Sequence, residues 1–178
     1  MAAIGVFLSA RTGVEPAHVE RARRVGAALA AGGHEVVYGG ASVGLMGVLA
    51  DAALAAGGRV VGVIPRSMVD RELAHGGLTE LHVVETMGQR KALMFDRADA
   101  FLVLPGGLGT LDEAFEMLTT QQLGWHAKPT VFLDEDGYWE GLFAWAARAV
   151  ASGLLAEPHH ALLLRATSIP AALAALVG

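Results

Sequence analysis

The chain has 178 residues, no cysteine and a formal net charge of −5, with 53% hydrophobic and 17% charged residues. The absence of cysteine excludes disulfides, thiolate catalysis and cysteine-bound metal, and an acidic chain without a basic cluster is not expected to bind nucleic acid. The longest apolar runs, residues 2–10 and 169–177, are shorter than the roughly 18 residues of a membrane span. No signal peptide is recognisable, so we expect a cytoplasmic protein that does not enter membranes.

Short β-like runs alternate with helical segments along almost the whole chain. Runs rich in Val, Ile, Leu and Phe predict six strands, over residues 4–9, 35–38, 60–64, 81–84, 100–104 and 130–133. Helices are predicted over residues 16–31, 44–56, 87–98, 110–123 and 138–152, with a last short helix after Ser168. Several strands are apolar throughout, as expected for strands covered on both faces. The alternation predicts an α/β fold, a doubly wound parallel sheet with helices on both faces, in one domain spanning residues 1–178.

The loop after the fifth predicted strand is rich in glycine. Doubly wound sheets bind ligands beyond the carboxyl ends of their strands, and residues 105–110 lie at that edge. Gly106, Gly107 and Gly109 allow tight turns with exposed N–H groups, and Thr110 stands where a helix begins and attracts anions. A turn that merely joins strand to helix needs only one glycine, so three glycines with a threonine favour a phosphate site.

A second glycine-containing loop follows the second predicted strand. Gly40, Ser42 and Gly44 give a further candidate cradle, and two converging loops suit a phosphosugar. Neither loop matches the dinucleotide fingerprint G-x-G-x-x-G, and no Asp or Glu ends the second strand to bind a ribose hydroxyl. No Walker A sequence is present. The pattern therefore disfavours hydride transfer and ATP hydrolysis.

Several carboxylates follow the glycine-rich loop. Thr110 and Glu113 have the spacing of a capping box, in which they only satisfy N–H groups at the helix start. The same spacing places Glu113 one turn into a helix that begins at a phosphate loop, with Glu116 on the same face, whereas Asp112 is expected to face away. Carboxylates beside a sugar stabilise cationic transition states, orient water or hold hydroxyl groups. Spacing alone leaves both interpretations open.

Two of the predicted helices carry groups of basic residues. Arg90 and Lys91 open the helix before the glycine-rich loop, where cations oppose the helix dipole unless an anion compensates them; taken alone, they are best interpreted as a surface pair. Arg21, Arg23 and Arg24 are the densest basic group and are expected to form a solvated face. The seven histidines show no metal-binding spacing, and we predict no metal site.

Four stretches together resemble one known family. They are residues 39–47 (GGASVGLMG), 62–65 (GVIP), 87–91 (MGQRK) and 105–113 (PGGLGTLDE). The pattern P-G-G-x-G-T-x-x-E with an upstream arginine is specific, whereas each loop alone is weak. The sequence resembles the Lonely Guy (LOG) family of cytokinin riboside 5′-monophosphate phosphoribohydrolases from about residue 4 to residue 153.

The resemblance carries expectations about fold, reaction and site. It implies a Rossmann-like fold, usually a homodimer, that releases a nucleobase and ribose 5-phosphate from a nucleoside 5′-monophosphate without a cofactor. Arg90 and Glu113 match the catalytic arginine and glutamate of the family. The candidate binding residues are Gly40, Ser42, Gly44, Met87, Lys91, Gly106, Gly107, Gly109, Thr110 and Glu116.

The sequence departs from the family pattern at two places. Residues 7–11 (FLSAR) replace a Cys-Gly-Ser-Ser type sequence, and Gly88-Gln89 replaces His-Glu, so the family's contacts at these positions are not assigned to this chain. A nucleotide carrier or sensor without catalysis, a pyridoxal-phosphate decarboxylase and a dinucleotide reductase are the alternatives. The decarboxylase is disfavoured because neither of the two lysines, Lys91 and Lys128, has a recognisable pyridoxal-phosphate setting.

Overall fold

Seven parallel strands form one sheet in the computed structural model, which describes residues 1–69 and 73–178 in full and residues 70–72 by their backbone. The strands are β1 (Ala3–Phe7), β2 (Glu35–Tyr38), β3 (Val60–Pro65), β4 (Glu80–Val84), β5 (Ala100–Val103), β6 (Thr130–Leu133) and β7 (Leu164–Ala166). Their spatial order is β4-β3-β2-β1-β5-β6-β7. The predicted doubly wound parallel sheet is therefore confirmed.

The sheet reverses its direction of growth between β1 and β5. The chain moves outward through β2, β3 and β4, then returns to place β5 on the other side of β1, where Phe7 pairs with Val103. The loops that follow β1 and β5 diverge from this point, which is where open α/β sheets form their ligand crevice.

Helices cover both faces of the sheet, as predicted. They are α1 (Pro16–Ala31), α2 (Gly44–Ala55), α3 (Arg66–Glu72), α4 (Met87–Arg97), α5 (Leu108–Gln122), α6 (Glu140–Ala151), α7 (Glu157–His160) and α8 (Ile169–Val177). Apolar residues of α1, α2 and α8 pack on one face, and those of α4, α5 and α6 pack on the other. Central strands such as β3 and β5 are wholly buried, which explains their unbroken apolar sequences.

Three short elements were not predicted from the sequence. Helices α3 and α7 have seven and four residues, too few to show helical periodicity. Strand β7 has three residues at the sheet edge, with an exposed arginine in the middle. The last helix was predicted correctly, because Ser168 caps it by accepting a hydrogen bond from the N–H of Ala171 at 3.3 Å. No helix within the described residues is long and apolar enough to cross a bilayer.

The basic group on α1 is only partly solvated. Arg23 is exposed and pairs with Glu20, as expected for a solvated face. Arg21 is 5% exposed and lies between two carboxylates of the loop after β6, Glu135 and Asp136. The prediction of a wholly solvated face was wrong for Arg21, because α1 turns this residue toward acidic groups that are 114 and 115 positions away in the sequence.

Candidate active site

A cavity of about 540 Å³ lies at the carboxyl edge of the sheet, between the loop after β1 and the amino end of α5. One part of its wall is polar and comprises Ser9, Arg11, Arg90, Thr110, Asp112 and Glu113 together with Gly107 and Gly109. The other part is apolar and comprises Leu8, Met46, Met68, Met87 and Leu108. Its volume is in the range of small-molecule sites, and its position is the crevice that the sheet topology predicts.

The amino end of α5 forms one wall of this cavity. The helix begins at Leu108, after Gly107, which has no side chain to cap the first turn. A Cβ atom placed on Gly107 or Gly109 would meet no atom within 4 Å, so both backbones face open space. A Cβ on Gly106 would lie 2.1 Å from Oγ1 of Thr110, so only glycine fits there. The first N–H groups of a helix have no partner within it and attract anions, and Gly107, Gly109 and Thr110 of this helix start line the cavity.

The capping-box interpretation of Thr110 and Glu113 is wrong. Thr110 is the third residue of α5 and cannot be its N-cap, because the helix begins two residues earlier than predicted. Both side chains are buried, with 4% of Thr110 and 6% of Glu113 exposed, and both line the cavity. The buried carboxyl group of Glu113 therefore belongs to the candidate site and has no capping role.

Arg90 enters the cavity from α4. Only 3% of the residue is exposed, so it is not part of a surface pair. Its Nε donates to the carbonyl of Val63 at 3.0 Å, and its Nη2 donates to that of Gly39 at 2.8 Å. A Cβ on Gly39 would lie 1.9 Å from Nη2, which explains the glycine at this position. These bonds tie the guanidinium to β3 and to the end of β2, beside Met87, whose sulfur lies 3.7 Å from Nη1.

Lys91 and Glu116 lie next to the cavity but are not on its wall. The Nζ of Lys91 is 3.0 Å from a carboxylate oxygen of Asp112 and also pairs with Glu116. The hydrogen bond to Glu116 is the main cause that raises the pKa of Lys91, so the ammonium group stays charged. Asp112 was expected to face away from the ligand, but it lies on the cavity wall, where Lys91 neutralises it.

The loop with Gly40, Ser42 and Gly44 lies outside the cavity wall. The hydroxyl of Ser42 donates to the carbonyl of Leu73 at 2.5 Å, and the carbonyl of Gly40 accepts from the N–H of His75 at 2.9 Å. Gly44 has φ of +61°, and a Cβ there would lie 2.3 Å from the carbonyl oxygen of Ala10. These residues make contacts with neighbouring loops and do not line the cavity, so the structure does not bring a second glycine-containing loop to it.

Some residues of the wall were not singled out in the sequence. Arg11 lies in the loop after β1 and is exposed on the cavity wall. Its position at the carboxyl edge of the sheet was the sequence feature that could have identified it. Met46 on α2 and Met68 on α3 also line the cavity, and no local pattern marks them because their elements are brought together only by the tertiary fold.

Gln89, one of the two residues that replace the family's His-Glu, has a structural role at the start of α4. The hydroxyl of Thr86 accepts from the N–H of Gln89 at 3.1 Å, while the side-chain oxygen of Gln89 accepts from the N–H groups of Thr86 and Glu85. This is a complete capping box at the start of α4. Gln89 therefore fixes the helix end that carries Arg90.

Comparison with known proteins identifies the family. A family model described as "Possible lysine decarboxylase" matches residues 46–176. A Rhodococcoides fascians protein named cytokinin riboside 5′-monophosphate phosphoribohydrolase is 45% identical over 174 residues, covering 97% of this chain and 88% of its own length. A Mycobacterium tuberculosis protein of the same name is 53% identical over 127 residues, covering 71% and 68%. The Arabidopsis thaliana protein with that name and the suffix LOG7 is 40% identical over 163 residues, covering 92% and 75%.

This chain belongs to the LOG family. Its fold is also shared with more distant solved structures. The molybdenum cofactor binding protein of Rippkaea orientalis has a TM-score of 0.72 at 22% identity, covering 97% of this chain and 93% of its own. The structure named TM1055 has a TM-score of 0.70 at 21% identity, covering 98% and 97%. At such identities these likenesses show the fold alone.

The family model is described as a possible lysine decarboxylase, but the surroundings of the two lysines of this chain do not support a pyridoxal-phosphate site. Lys91 is held by two carboxylates. Lys128 precedes β6 at the opposite edge of the sheet, where its Nζ donates to the carbonyl of Phe95 at 2.6 Å and lies 4.0 Å from the centre of that ring. Among the described residues, no lysine lines the cavity.

Proposed function

We propose that this chain hydrolyses the N-glycosidic bond of a nucleoside 5′-monophosphate and releases the free base and ribose 5-phosphate. Relatives that are 40–53% identical bear the name of this activity. The observation that carries the proposal is that Arg90, Glu113 and the amino end of α5 line one cavity. A buried cation, a buried carboxylate and an anion-attracting helix end supply what phosphate binding and glycosidic cleavage require.

The 5′-phosphate binds at the amino end of α5. Backbone N–H groups from Gly107 to Thr110 and the Thr110 hydroxyl surround it, and the helix dipole favours its charge. Arg11 adds a cation from the opposite wall. Because the phosphate does not react, its binding energy serves to place the sugar beside Glu113.

Glu113 and Arg90 act on the charges that develop as the bond breaks. The bond between C1′ and the base nitrogen breaks, its electron pair leaves with the base, and the sugar becomes oxocarbenium-like. Glu113 stabilises the positive charge at the sugar and orients the water whose oxygen bonds to C1′. Arg90 stabilises the negative charge on the departing base, and the base takes up the proton that the attacking water gives up as its oxygen bonds to C1′.

The apolar wall of the cavity accepts the base. Met46, Met68 and Met87 lie on three different helices and line the same space. Methionine side chains adapt to irregular ligands, so this wall suits adenine with an apolar substituent on its exocyclic nitrogen as well as adenine alone. The proposed substrates are accordingly AMP and N6-modified adenosine monophosphates, and the proposed location of the protein is the cytoplasm.

The proposal includes a homodimer. Leu108, Leu123 and Trp125 are 88%, 56% and 72% exposed, and they line an apolar groove of about 580 Å³ along α5. Leu108 lies on the wall of both the groove and the active cavity. A second copy of the chain seated on this groove would bury the apolar side chains and close the open side of the cavity.

Product analysis tests the proposed reaction. Purified protein is incubated with AMP, with isopentenyladenosine monophosphate and with the two corresponding nucleosides, and free base and ribose 5-phosphate are quantified by chromatography. We expect equal amounts of base and sugar phosphate from the monophosphates and a much lower rate from the nucleosides. Tight binding of the monophosphates without any product would instead indicate a carrier or sensor.

A further inference from the structure

The loop between β6 and α6 makes a direct contact with the glycine-rich loop. The phenol of Tyr138 donates a hydrogen bond to the carbonyl of Gly106 at 2.6 Å, although the two residues are 32 positions apart. Tyr138 lines a second cavity of about 400 Å³, which shares Ser9, Arg11 and Gly107 with the candidate active site. The tyrosine thus contacts the glycine-rich loop from outside the active cavity.

A buried arginine anchors the loop that carries Tyr138. The proposed reaction does not use Arg21, yet this cation is almost fully buried on α1. Its Nη2 lies 2.7 Å from Asp136 and its Nε 3.2 Å from Glu135. Arg24 also pairs with Glu135, at 3.1 Å. These charge-assisted contacts hold the loop against α1 and fix the backbone two residues before Tyr138.

Ring contacts fix the tyrosine itself. The ring of His18 meets it edge-on at 5.7 Å between centroids, and that of Trp139 does so at 4.8 Å. The backbone N–H of Trp139 donates a hydrogen bond to the buried carboxylate of Asp134 at 3.2 Å. The side chain is therefore held from two sides even though 46% of the residue is exposed.

The Gly106 carbonyl, which accepts the hydrogen bond from Tyr138, and the Gly107 N–H belong to the same peptide group. In a trans peptide the C=O and N–H groups point in opposite directions, so a bond from Tyr138 to the carbonyl turns the N–H away from Tyr138. Gly106 also packs directly on the Thr110 side chain, since a Cβ atom on Gly106 would lie only 2.1 Å from Oγ1. A rotation of this peptide would therefore disturb both the Gly107 N–H and the Thr110 hydroxyl.

We propose that Tyr138 is a positioning residue for the phosphate site: its hydrogen bond to the Gly106 carbonyl, anchored through Arg21, sets the orientation of the Gly107 N–H and Thr110 hydroxyl toward the substrate phosphate. The inference rests on the proposed function for the identity of the anion. It assigns a role to a side chain that does not touch the substrate.

The test compares two tyrosine-to-phenylalanine variants. Tyr138→Phe removes the hydroxyl and keeps the ring contacts. Tyr38→Phe is the matched control, because its hydroxyl also donates to a backbone carbonyl, that of Ala41 at 3.1 Å, but the residue does not line the active cavity. For both variants we measure kcat and KM for AMP, the inhibition constant of ribose 5-phosphate and the binding of free adenine.

We expect Tyr138→Phe to raise KM for AMP and the inhibition constant of ribose 5-phosphate together, by about three- to ten-fold, the effect of one lost hydrogen bond. Its kcat should stay within about two-fold, and adenine binding should not change. Tyr38→Phe should leave both phosphate-dependent constants near wild type. Unchanged constants in Tyr138→Phe, or an equal rise for adenine, would overturn the inference.

Calorimetric binding of AMP separates this inference from the proposed reaction. If the wild type binds AMP without turnover and Tyr138→Phe binds it more weakly, the positioning role stands and the hydrolase proposal fails. If turnover occurs and both variants retain wild-type KM, the hydrolase proposal stands and the positioning role fails. A wild type that neither binds nor cleaves AMP would overturn both.

Discussion

At the residue scale, the proposed chemistry depends on two buried ionisable side chains. Removing a charge from water is costly unless other groups compensate it, and Arg90 and Glu113 are 3% and 6% exposed. Arg90 is compensated in part by two carbonyls at strand ends. Such buried charged groups in a crevice are typical of functional sites, because the surrounding protein holds them where a substrate needs them.

Replacing Glu113 by Gln should abolish most of the activity. The amide keeps the size of the side chain and removes its negative charge, so we expect kcat to fall by about 10²- to 10⁴-fold while the protein remains folded. Glu20→Gln is the control, since it makes the same change on the exposed face of α1, where Glu20 pairs with Arg23. Steady-state kinetics and thermal melting check this, and a folded Glu113→Gln enzyme of wild-type activity would refute the assignment.

Arg11 should contribute to the affinity for the phosphate. It is an exposed cation on the cavity wall, so its attraction to a phosphate is screened by salt. We expect Arg11→Gln to raise KM for AMP by about two- to five-fold at low ionic strength and by less at high salt. Arg148→Gln, on α6 and outside the cavity wall, should have no such effect. A KM for Arg11→Gln equal to that of the wild type at every salt concentration would contradict this.

At the scale of single elements, the start of α4 is held by side-chain caps. Thr86 and Gln89 satisfy backbone N–H groups on both sides of the helix boundary, and Arg90 is the next residue. We expect Thr86→Ala to lower the free energy of unfolding by about 1 kcal/mol. Gln89→Glu, which preserves the capping box, should change it much less. Urea denaturation measures both, and equal stabilities for the wild type and Thr86→Ala would show that the cap does not hold this helix.

Helix α5 shows where prediction from sequence failed at this scale. The spacing of Thr110 and Glu113 fits a capping box, but the helix already begins at Leu108. Local spacing does not reveal that Gly106 must pack on Thr110 or that the backbone of Gly107 faces a cavity. These features depend on contacts with distant residues, such as the hydrogen bond from Tyr138 to the carbonyl of Gly106, which the sequence of α5 does not encode by itself.

At the scale of the whole molecule, the parallel sheet was predictable and the full wall of its crevice was not. Continuous apolar runs, such as β3 and β5, follow from burial on both faces and predicted the sheet. The burial of Arg21 and the convergence of three methionines on one cavity arise from contacts between distant segments. The family resemblance carried by residues 87–91 and 105–113 made Arg90 and Glu113 candidate catalytic residues, whereas the residues alone indicated a surface pair for Arg90 and left Glu113 open between two interpretations.

The apolar groove along α5 should mediate dimerisation. Light scattering after size exclusion should give twice the chain mass of 18.4 kDa. Trp125→Glu places a charge in the groove and should yield monomers, because burial of a charge against an apolar surface is unfavourable. Leu154→Glu is the control, since Leu154 is 85% exposed and lies outside the groove wall. A wild-type monomer, or dissociation caused by both substitutions equally, would argue against this interface.

The central claim is that a substrate phosphate binds the backbone at the amino end of α5, with the sugar beside Glu113. A crystal structure of Glu113→Gln with AMP tests it most directly. We predict phosphate oxygens within hydrogen-bonding distance of the N–H groups of residues 107–110 and the ribose in contact with residue 113. A structure with this cavity empty and the nucleotide bound elsewhere, for instance in the cavity lined by His34 and Arg59, would contradict the account.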